Sequence, residues 1–345
     1  MTATRSTPVR GGTPDALVRH RPLLQETMAR AIHRLSPDLR RVAAYHLGWE
    51  DADGRAARGD GGKAVRPAIV LAAAEAVGAP PARAAAGAVA LELVHNFSLI
   101  HDDVMDGDRE RRHRPTVWAL FGVAEAIVAG DALHALAQEL VLEGGGQKSV
   151  RAALELERAT AEMIRGQAED LAFESRLDVT EDECIAMSSH KTGALLACAG
   201  ALGATLGGGS EEQIDALRTF GRHLGIAFQA VDDVLGIWGD PSLTGKPSAG
   251  DLRQHKKTLP VVHALASEGT ASAALRRALS NGAVDDQRAG ELVRLLEDLG
   301  ARPWTVGLAE DHLETALLAL GDADLDPGAR RDLGEIAAFV VGRDF

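Results

Sequence analysis

The sequence predicts an all-α protein that folds as one domain, and three observations support this prediction. Apolar residues recur at helical spacing along most of the 345-residue chain, and no segment shows the sustained apolar–polar alternation of paired strands. Alanine and leucine, which favour helices, are abundant, whereas tyrosine, which favours strands, occurs once. The loop-like breaks are too short to be linkers between domains. We therefore expect a single bundle of many antiparallel helices.

The domain is expected to follow a short leader. Residues 1–20 are rich in Thr, Pro, Gly and Arg and have no apolar stretch, so they predict a disordered leader and not a secretory signal. Residues 21–345 form the domain. Its predicted helices are, in order, Leu23–Leu35, Ala64–Val77, Ala82–Met105, Val117–Leu142, Ser149–Phe173, Glu181–Leu206, Glu211–Ile237, Thr258–Ser267, Gln287–Leu299, Ala309–Leu320 and Leu333–Val341.

Glycine and proline mark the ends of these helices. Pro37 follows the first helix, and the Gly-Ala-Pro-Pro sequence at 78–81 ends the second. The longest uncharged stretch, Thr192–Ser210, is long enough to span a bilayer but is only weakly apolar and contains many glycines. We interpret it as a close-packed buried helix that ends at Gly207–Gly209, and we expect no stable membrane insertion.

Composition excludes several classes of function. The 37 basic and 50 acidic residues give a net charge of −13, and aromatic residues are few, which argues against nucleic-acid binding. The only cysteines, Cys184 and Cys198, do not form a CxxC or Cys/His pattern. This usage predicts no disulfide framework and no structural zinc, and it is typical of the reducing cytoplasm.

A first acidic cluster ends the long apolar helix that precedes residue 107. Asp102 and Asp106 are four residues apart, so they share one helix face and repel each other. They also lie at the C-terminal end of a helix, where the helix dipole disfavours anions. These costs suggest a compensating cation, and hard carboxylate oxygens select Mg²⁺ or a similar ion. The alternative is a solvated acidic helix end.

A second acidic cluster, Asp232 and Asp233, again follows an apolar helical run. In the first cluster a second aspartate follows four residues after Asp102, but the corresponding position after Asp232 is Gly236. Asp240, eight residues after Asp232, could take the place of this missing carboxylate, and the sequence leaves that open. Two acidic helix ends that face each other could hold several Mg²⁺ ions and a polyphosphate between them, because Mg²⁺ usually completes its coordination with substrate phosphate oxygens.

Basic residues gather near both clusters, which is unusual in an acidic chain. The Gly-Gly-Lys-Ala-Val-Arg-Pro sequence at 61–67 adds a third basic element at the opening of a helix, where glycine lets backbone N–H groups approach an anion. It lacks Walker A spacing, so nucleotide hydrolysis is not implied. The other basic residues of this group are Arg109, Arg111, Arg112, Arg114, Lys246, Lys256 and Lys257.

In combination and order, these motifs resemble the trans-isoprenyl diphosphate synthase (polyprenyl synthetase) family, and most closely its short-chain geranylgeranyl and farnesyl diphosphate synthases. The resemblance covers roughly residues 20–345. The motifs that carry it are GGKAVRP (61–67), ELVHNFSLIHDDVMD (92–106), RRHRPT (111–116), GQAED (166–170), HKTGAL (190–195), FQAVDDVLGIWGD (228–240), TGKP (244–247) and DLRQHKKTLP (251–260). It implies an all-α bundle of the isoprenoid synthase type around a deep central cavity, three Mg²⁺ ions and a homodimer.

The resemblance also assigns roles to individual residues. It implies that Asp102, Asp106 and Asp232 ligate magnesium and that Asp103 and Asp233 support these ligands by hydrogen bonds to water or to basic residues. The implied contacts of the allylic diphosphate are Arg111, Lys191, Thr192, Gln229, Lys246 and Lys256. Those of isopentenyl diphosphate are Lys63, Arg66, His95 and Arg112.

The implied reaction is a Mg²⁺-dependent condensation of an allylic diphosphate with isopentenyl diphosphate. Phe97, five residues before Asp102, and the small Ser98 beside it are expected to line the floor of the cavity for the growing tail. In similar enzymes an aromatic residue at that position accompanies C20 or C15 products. We therefore expect a trans-prenyl diphosphate of about C20, with C15 as the other short-chain outcome.

Two alternatives stay open at the level of sequence. A class I terpene cyclase on the same helical fold also ionises an allylic diphosphate with Mg²⁺, but it needs no isopentenyl diphosphate site. An inactive partner subunit that modulates another synthase would be expected to lose acidic ligands, whereas the first cluster here is intact. The basic residues assigned to the isopentenyl diphosphate site favour chain elongation.

Overall fold

Long α-helices build almost the whole protein. A computed structural model describes residues 13–57, 64–239, 249–254, 256–280 and 284–342. Its α-helices, numbered here in chain order from α1 to α16, are Arg21–Ile32, Pro37–His46, Val65–Ala76, Ala85–Met105, Val117–Phe121, Val123–Leu142, Gly146–Glu174, Glu181–Ser188, Ala194–Gly207, Glu211–Trp238, Gly250–Arg253, Leu259–Ala266, Thr270–Ser280, Asp286–Asp298, Ala301–Gly321 and Pro327–Val341. The prediction of an all-α fold is confirmed.

The centre of the bundle is α9, which is buried on nearly all sides. It packs against α3, α7 and α10. A Cβ at Gly203 would overlap the carbonyl oxygen of Val70 on α3, and a Cβ at Gly200 would overlap that of Leu217 on α10. Glycine is therefore needed for this close backbone approach. The helix ends at Gly207, with Gly208 in the left-handed conformation, as predicted from the glycine cluster.

Two long helices carry the acidic clusters into the same bundle. Helix α4 packs on α6 and ends at Met105, so Asp102 lies in its last turn. Helix α10 packs between α9 and α15 and ends at Trp238, two turns after Asp232. A smaller group of buried apolar side chains, formed by the end of α10 and by helices α11 to α14, lies beside the main core.

Several local predictions were wrong. Helix α2 was missed because Pro37 was interpreted as a stop, whereas proline fits the first turn of a helix. Helix α13 was also missed, since the sequence predicted no helix between Ser267 and Gln287. The predicted helix from residue 181 to 206 contains a π-helical segment, Ser189–Gly193, and the one from 117 to 142 is interrupted at Gly122, whose φ is 104°. The last long helix begins at Ala301, earlier than predicted.

The described chain departs from the predicted leader before residue 20. Asp15–Leu17 form a 3-10 turn, and the Leu17 side chain is buried in the core. The guanidinium of Arg19 lies 2.8 Å from a carboxylate oxygen of Glu75 and 2.5 Å from one of Asp332. Residues 13–20 are therefore packed on the bundle, and the rest of the predicted leader lies outside the described residues.

One small β-hairpin interrupts the helical pattern. Glu110–Arg111 (β1) pairs antiparallel with Arg114–Pro115 (β2), in a segment between two predicted helices. The two turn residues, Arg112 and His113, have φ values of 52° and 59°. Positive φ at both turn positions matches the twist of a two-residue hairpin but strains residues other than glycine. Within the described ranges, no helix is both long and apolar enough to cross a membrane.

Candidate active site

The first acidic cluster places two carboxylates on the last turn of α4. Asp106 follows the helix directly and closes it, and Asp102 lies one turn earlier on the same face. The pKa of Asp102 is raised to about 6, chiefly by burial and also by the nearby carboxylate of Asp106, against the opposing charges of Lys191 and Arg111. The site therefore holds two close carboxylates that cations stabilise.

Asp103 has a different partner from its two acidic neighbours. Its side chain is buried, and both Nε and Nη2 of Arg111 lie 2.8 Å from its Oδ1. Arg111 is in β1, so the strained hairpin brings it back to the end of α4. The predicted support of Asp103 by a basic residue has a counterpart in this ion pair. Arg111, predicted to contact the allylic diphosphate, is at the same time the partner of Asp103.

The second acidic cluster is held by a chain of hydrogen bonds. The side chain of Asp233 accepts one from the backbone N–H of Leu259 at 2.9 Å and one from Nε2 of Gln229 at 2.7 Å. The hydroxyl of Thr192 donates to Oε1 of the same glutamine at 2.6 Å. Burial raises the pKa of Asp233 to about 7. Among the described residues, the printed partners of the Asp233 side chain are thus a backbone amide and a glutamine.

The π-helical segment carries Lys191 and Thr192 into the site. Nζ of Lys191 lies 2.5 Å from Oδ2 of Asp170 on α7. The two segments touch at their backbones, because a Cβ at Gly166 would overlap the backbone nitrogen of Lys191. Asp170 received no role from the sequence, although its motif at 166–170 had been noted. That motif was the one signal that could have identified it.

Lys256 connects three acidic segments. Its Nζ lies 3.3 Å from Oδ2 of Asp106. Burial would lower the pKa of Lys256, but the carboxylates of Asp106, Asp170 and Asp251 together raise it above its ordinary value. Leu259, three residues further along, donates its backbone N–H to Asp233. One short segment therefore contacts both acidic clusters and brings them to the same end of the bundle.

A separate cavity lies on another face of α4. Glu92, His95, Asn96, Leu99 and Asp103 line it from successive turns of this helix. Opposite them are Arg111 and Arg112 of the hairpin and His46 at the end of α2. The cavity therefore adjoins the first acidic cluster and has arginine in its wall.

Two of the residues predicted to bind isopentenyl diphosphate line this cavity, and a third is next to it. His95 and Arg112 are in the wall, and Nη1 of Arg66 lies 3.3 Å from Nε2 of His95. The sequence missed His46, whose pKa is lowered to about 3 by burial and by the nearby arginines. His46 is 56 residues away from the acidic motif along the chain and no local pattern marks it.

Some predicted residues are engaged elsewhere or fall outside the described ranges. Arg109 stacks over Trp118, Arg114 stacks over Tyr45, and Nζ of Lys257 donates to the backbone of Glu174. These three cations have structural partners away from the acidic clusters. Lys63, Lys246 and Asp240 lie outside the described residues.

Phe97 packs against two histidine rings between α4 and α6. Its ring meets that of His101 edge-on, with centroids 4.8 Å apart, and lies 5.3 Å from that of His134. The Ser98 hydroxyl donates to the carbonyl of His95 in its own helix. Phe97 is 9% exposed and therefore part of the packed interior. A floor role for Phe97 and Ser98 stays a prediction.

The donor set fits a hard divalent cation, although it is not a closed metal site. Asp102 and Asp106 offer oxygen ligands on one helix face, next to cations that suit phosphate. In the part of the chain that the structure describes, no three His, Cys, Asp or Glu side chains are close enough to hold a metal by themselves. Such an arrangement suits Mg²⁺, which keeps positions for water and substrate phosphate.

Comparisons with known proteins agree with this geometry. The sequence model of the polyprenyl synthetase family matches residues 55–296. The (2E,6E)-farnesyl diphosphate synthase of Mycobacterium tuberculosis is 46% identical over 326 residues, which is 93% of this chain and 90% of that protein. The geranylgeranyl diphosphate synthase of the same species is 44% identical over 321 residues, 91% of this chain and 89% of that protein.

A solved structure has the same architecture. The crystal structure of polyprenyl synthetase from Streptomyces coelicolor superposes with a TM-score of 0.91 at 49% identity, covering 94% of this chain and 98% of that one. The two acidic helix ends, the basic groups around them and the extent of these matches lead to one conclusion. The chain belongs to the polyprenyl synthetase family of prenyltransferases.

Proposed function

We propose that the protein condenses an allylic diphosphate with isopentenyl diphosphate to a short-chain trans-prenyl diphosphate of about C20. The observation that carries this proposal is the position of the segment from Lys256 to Leu259. Lys256 contacts Asp106 of the first acidic cluster, and Leu259 contacts Asp233 of the second. A cavity with arginine in its wall adjoins the first cluster. Relatives named as farnesyl and geranylgeranyl diphosphate synthases support the substrate class.

Three aspartates are proposed to hold magnesium. Asp102 and Asp106 would bind it from the end of α4, and Asp232 from α10. The raised pKa of Asp102 supports this assignment, because its carboxylate is buried beside another carboxylate and a cation would stabilise both. Bound Mg²⁺ supplies positive charge to a diphosphate leaving group. We expect three ions when substrate is bound.

Cationic side chains are proposed to bind the allylic diphosphate. Three cations lower the pKa of Asp102, namely Lys191, Arg111 and Lys256. They are therefore close to the carboxylate beside which the diphosphate would lie. They stabilise the negative charge that grows on the leaving group as the allylic C–O bond breaks. Thr192 and Gln229, hydrogen-bonded to each other, lie next to Lys191 and complete this wall. Lys246 keeps its proposed role as a further contact.

The acceptor would occupy the cavity on the other face of α4. Arg66, His95 and Arg112 are proposed to hold the diphosphate of isopentenyl diphosphate there, together with Lys63. Its double bond then attacks the allylic cation, and a proton is lost to the released diphosphate. The apolar interior of the bundle excludes water, which would convert the cation into an alcohol.

The terpene-cyclase alternative receives no support from the relatives. An incorporation assay with radiolabelled isopentenyl diphosphate and each of three starters (dimethylallyl, geranyl and farnesyl diphosphate) tests the proposal. We expect label in prenyl diphosphates of up to about C20. Release of hydrocarbon from the allylic substrate alone, without label, would instead identify a cyclase. Absence of any turnover would favour a non-catalytic subunit.

We further propose that two copies of the chain associate through α6. Val123, Ile127 and Val128 on this helix are 44–52% exposed, which is high for such large apolar side chains. A second copy of the same surface would cover them. Size-exclusion chromatography with light scattering should give about twice the 36.2 kDa chain mass.

Both cysteines are buried free thiols, in agreement with the proposed location in the reducing cytoplasm.

A further inference from the structure

His46, at the end of α2, is a histidine in the wall of the cavity that adjoins α4. It lines this cavity together with Arg112 of the hairpin and Asn96 of α4. The residue is half-buried, so it is not sealed off from the cavity that it lines. A wall that binds an anion presents hydrogen-bond donors to it, and a histidine donates from both ring nitrogens only when it is protonated. What His46 can do for a ligand therefore depends on its proton.

The amide of Asn96 determines which nitrogen of the His46 ring can gain a proton. Nδ2 of Asn96 donates to the backbone carbonyl of Glu92 at 2.7 Å, which fixes the orientation of the amide because a carbonyl can only accept. The Asn96 side chain is also a hydrogen-bond partner of His46 and favours the protonated ring. The ring therefore donates one N–H to Oδ1 of Asn96, and its other nitrogen is the one that can take up a proton.

Burial and the arginines around His46 disfavour a charge on its ring. The pKa of His46 is lowered to about 3 by burial and by the charges of Arg111, Arg112 and Arg114. An anion bound among these arginines would offset their repulsion and attract a positive ring, so it would favour the protonated form. Among the described residues, the other charged or titratable groups that line the cavity are Tyr45, Glu92, His95 and Asp103.

The second histidine of the cavity has the opposite kind of partner. Nη1 of Arg66 lies 3.3 Å from Nε2 of His95, and arginine can only donate, so this nitrogen accepts and carries no proton. A proton at Nε2 of His95 would break the contact. The partner of His46 is instead a side-chain carbonyl that accepts from its ring. Of the two rings, His46 is therefore the one whose hydrogen bond persists when the ring becomes charged.

We propose that His46 binds the diphosphate of the acceptor substrate and takes up a proton from solvent when this substrate binds. The charged ring then donates one N–H to Asn96 and the other to a phosphate oxygen, which makes a charge-assisted hydrogen bond. No covalent bond changes in this step, and the proton returns to solvent when the substrate is consumed. The inference rests on the proposed function and adds a contact from α2 to the proposed acceptor site.

The first experiment measures the proton directly. Isopentenyl diphosphate is titrated by calorimetry into the magnesium-loaded protein, whose allylic site is filled with an unreactive thio analogue of geranyl diphosphate. Titrations in two buffers of different ionisation enthalpy give the number of protons taken up per substrate bound. We expect His46→Gln to take up at least about half a proton fewer than the wild type at pH 7. Glutamine can still donate to Asn96 but cannot become charged.

His312→Gln is the matched control. His312 is also a half-buried histidine with a lowered pKa, and it lies between α10 and α15, outside the cavity. This variant should keep the proton uptake of the wild type. His46→Asn, a second amide at the same position, should lose the uptake as His46→Gln does. Circular dichroism establishes that each variant is folded at the temperature of the titration.

Steady-state kinetics separate a binding role from a structural one. His46→Gln should raise the KM for isopentenyl diphosphate by about fivefold or more, with less than about a twofold change in the allylic KM. Between pH 6.5 and pH 8.5, the wild-type KM for isopentenyl diphosphate should rise more steeply than that of the variant, because binding uses a proton that becomes scarcer. A loss of packing alone would change neither the proton count nor this pH profile.

The inference and the proposed function fail in different ways. Equal proton uptake in the wild type and His46→Gln would assign the proton to another group and overturn the inference. A loss of uptake in His312→Gln, or an equal rise of both KM values in His46→Gln, would also overturn it, because the effect would not be specific to the acceptor site. If the wild type incorporates isopentenyl diphosphate in these cases, only the role of His46 fails. If it neither binds nor incorporates this substrate, the proposed function fails and the inference fails with it.

Discussion

The carboxylate of Asp251 lies directly over Gly236. A Cβ at Gly236 would overlap Oδ2 of Asp251, which reaches α10 from the short helix α11. Residue 236 is four positions after Asp232, where the second acidic cluster lacks the carboxylate that the first one has. The structure therefore places an acidic group at this point from another segment, and glycine leaves the room for it.

Gly236→Asp should impair the enzyme although it restores the acidic pattern. The new side chain collides with Asp251, and overpacking of this kind costs about 1–3 kcal/mol of stability. We expect initial rates at saturating substrate to fall by at least about tenfold, since this displacement reaches the acidic site. The double variant with Asp251→Gly should recover part of the loss. The control is Gly290→Asp, where a side chain meets only open space. Full activity of Gly236→Asp would contradict the steric interpretation.

Asp102→Ala should abolish turnover and leave the fold intact. Removal of a proposed metal ligand is expected to lower kcat by about a hundredfold or more. Because burial disfavours this carboxylate, its loss should not lower the melting temperature. Steady-state rates and far-UV circular dichroism check the two halves of the prediction. Activity within a few-fold of wild type would show that the metal assignment is wrong.

Arg66→Ala should act mainly on the acceptor substrate. Its guanidinium lies beside His95 at the proposed isopentenyl diphosphate site, with Nη1 3.3 Å from Nε2 of that histidine. We expect the KM for isopentenyl diphosphate to rise by about tenfold or more, as the loss of a charge-assisted hydrogen bond implies. The allylic KM should change by less than about threefold. Exposed Arg30→Ala is the control, and equal effects on both substrates would contradict the division.

Phe97→Ala should lengthen the product. If its ring is the floor of the tail cavity, a smaller side chain lets the chain grow beyond about C20, which product chromatography detects. Phenylalanine-to-alanine changes in a core cost about 3–5 kcal/mol, so Phe97→Leu provides a milder variant. Phe173→Ala on α7 is a control for the loss of a buried ring. Unchanged products in both Phe97 variants would exclude the floor role.

The pair His223 and His312 should make stability depend on pH. Their Nδ1 atoms are 2.8 Å apart between α10 and α15, so one ring donates and the other accepts. Burial lowers the pKa of both histidines. The positive charge of Arg222 lowers the pKa of His223 further. The His223 ring also lowers the pKa of His312, while the carboxylate of Asp311 acts in the opposite direction. Below the unfolded pKa of about 6.5, the unfolded chain binds more protons, so stability falls as the pH decreases.

Chemical denaturation at pH 7.5 and pH 5.5 measures this effect. Between these two pH values the histidine pair should decrease the free energy of unfolding, whereas the buried carboxyls of Asp102 and Asp233, whose pKa values are raised, act in the opposite direction in the wild type and in the variant alike. His312→Phe keeps an aromatic ring against His223 but removes one titrating group, so the decrease should be smaller. An identical decrease in this variant would show that other groups cause the pH dependence.

The sequence by itself determined most of the helical segments and showed which of them end in acidic clusters. Both depend on residues that are close in the chain, so periodicity and spacing report them. Asp102 and Asp106 share a face because they are four residues apart, and this holds in any packing of α4. Local rules were wrong where one residue type is typical of two different positions. Proline both follows the end of a helix and fits its first turn, and Pro37 starts α2.

Only the tertiary structure decided which distant side chains meet at the site. Asp170 meets Lys191 across 21 residues, and Lys256 meets Asp106 across 150. The position of His46 in the wall of the cavity and that of Asp251 over Gly236 also became visible only there. Such contacts depend on how whole helices pack against one another, and no spacing within a single segment of the chain contains that information.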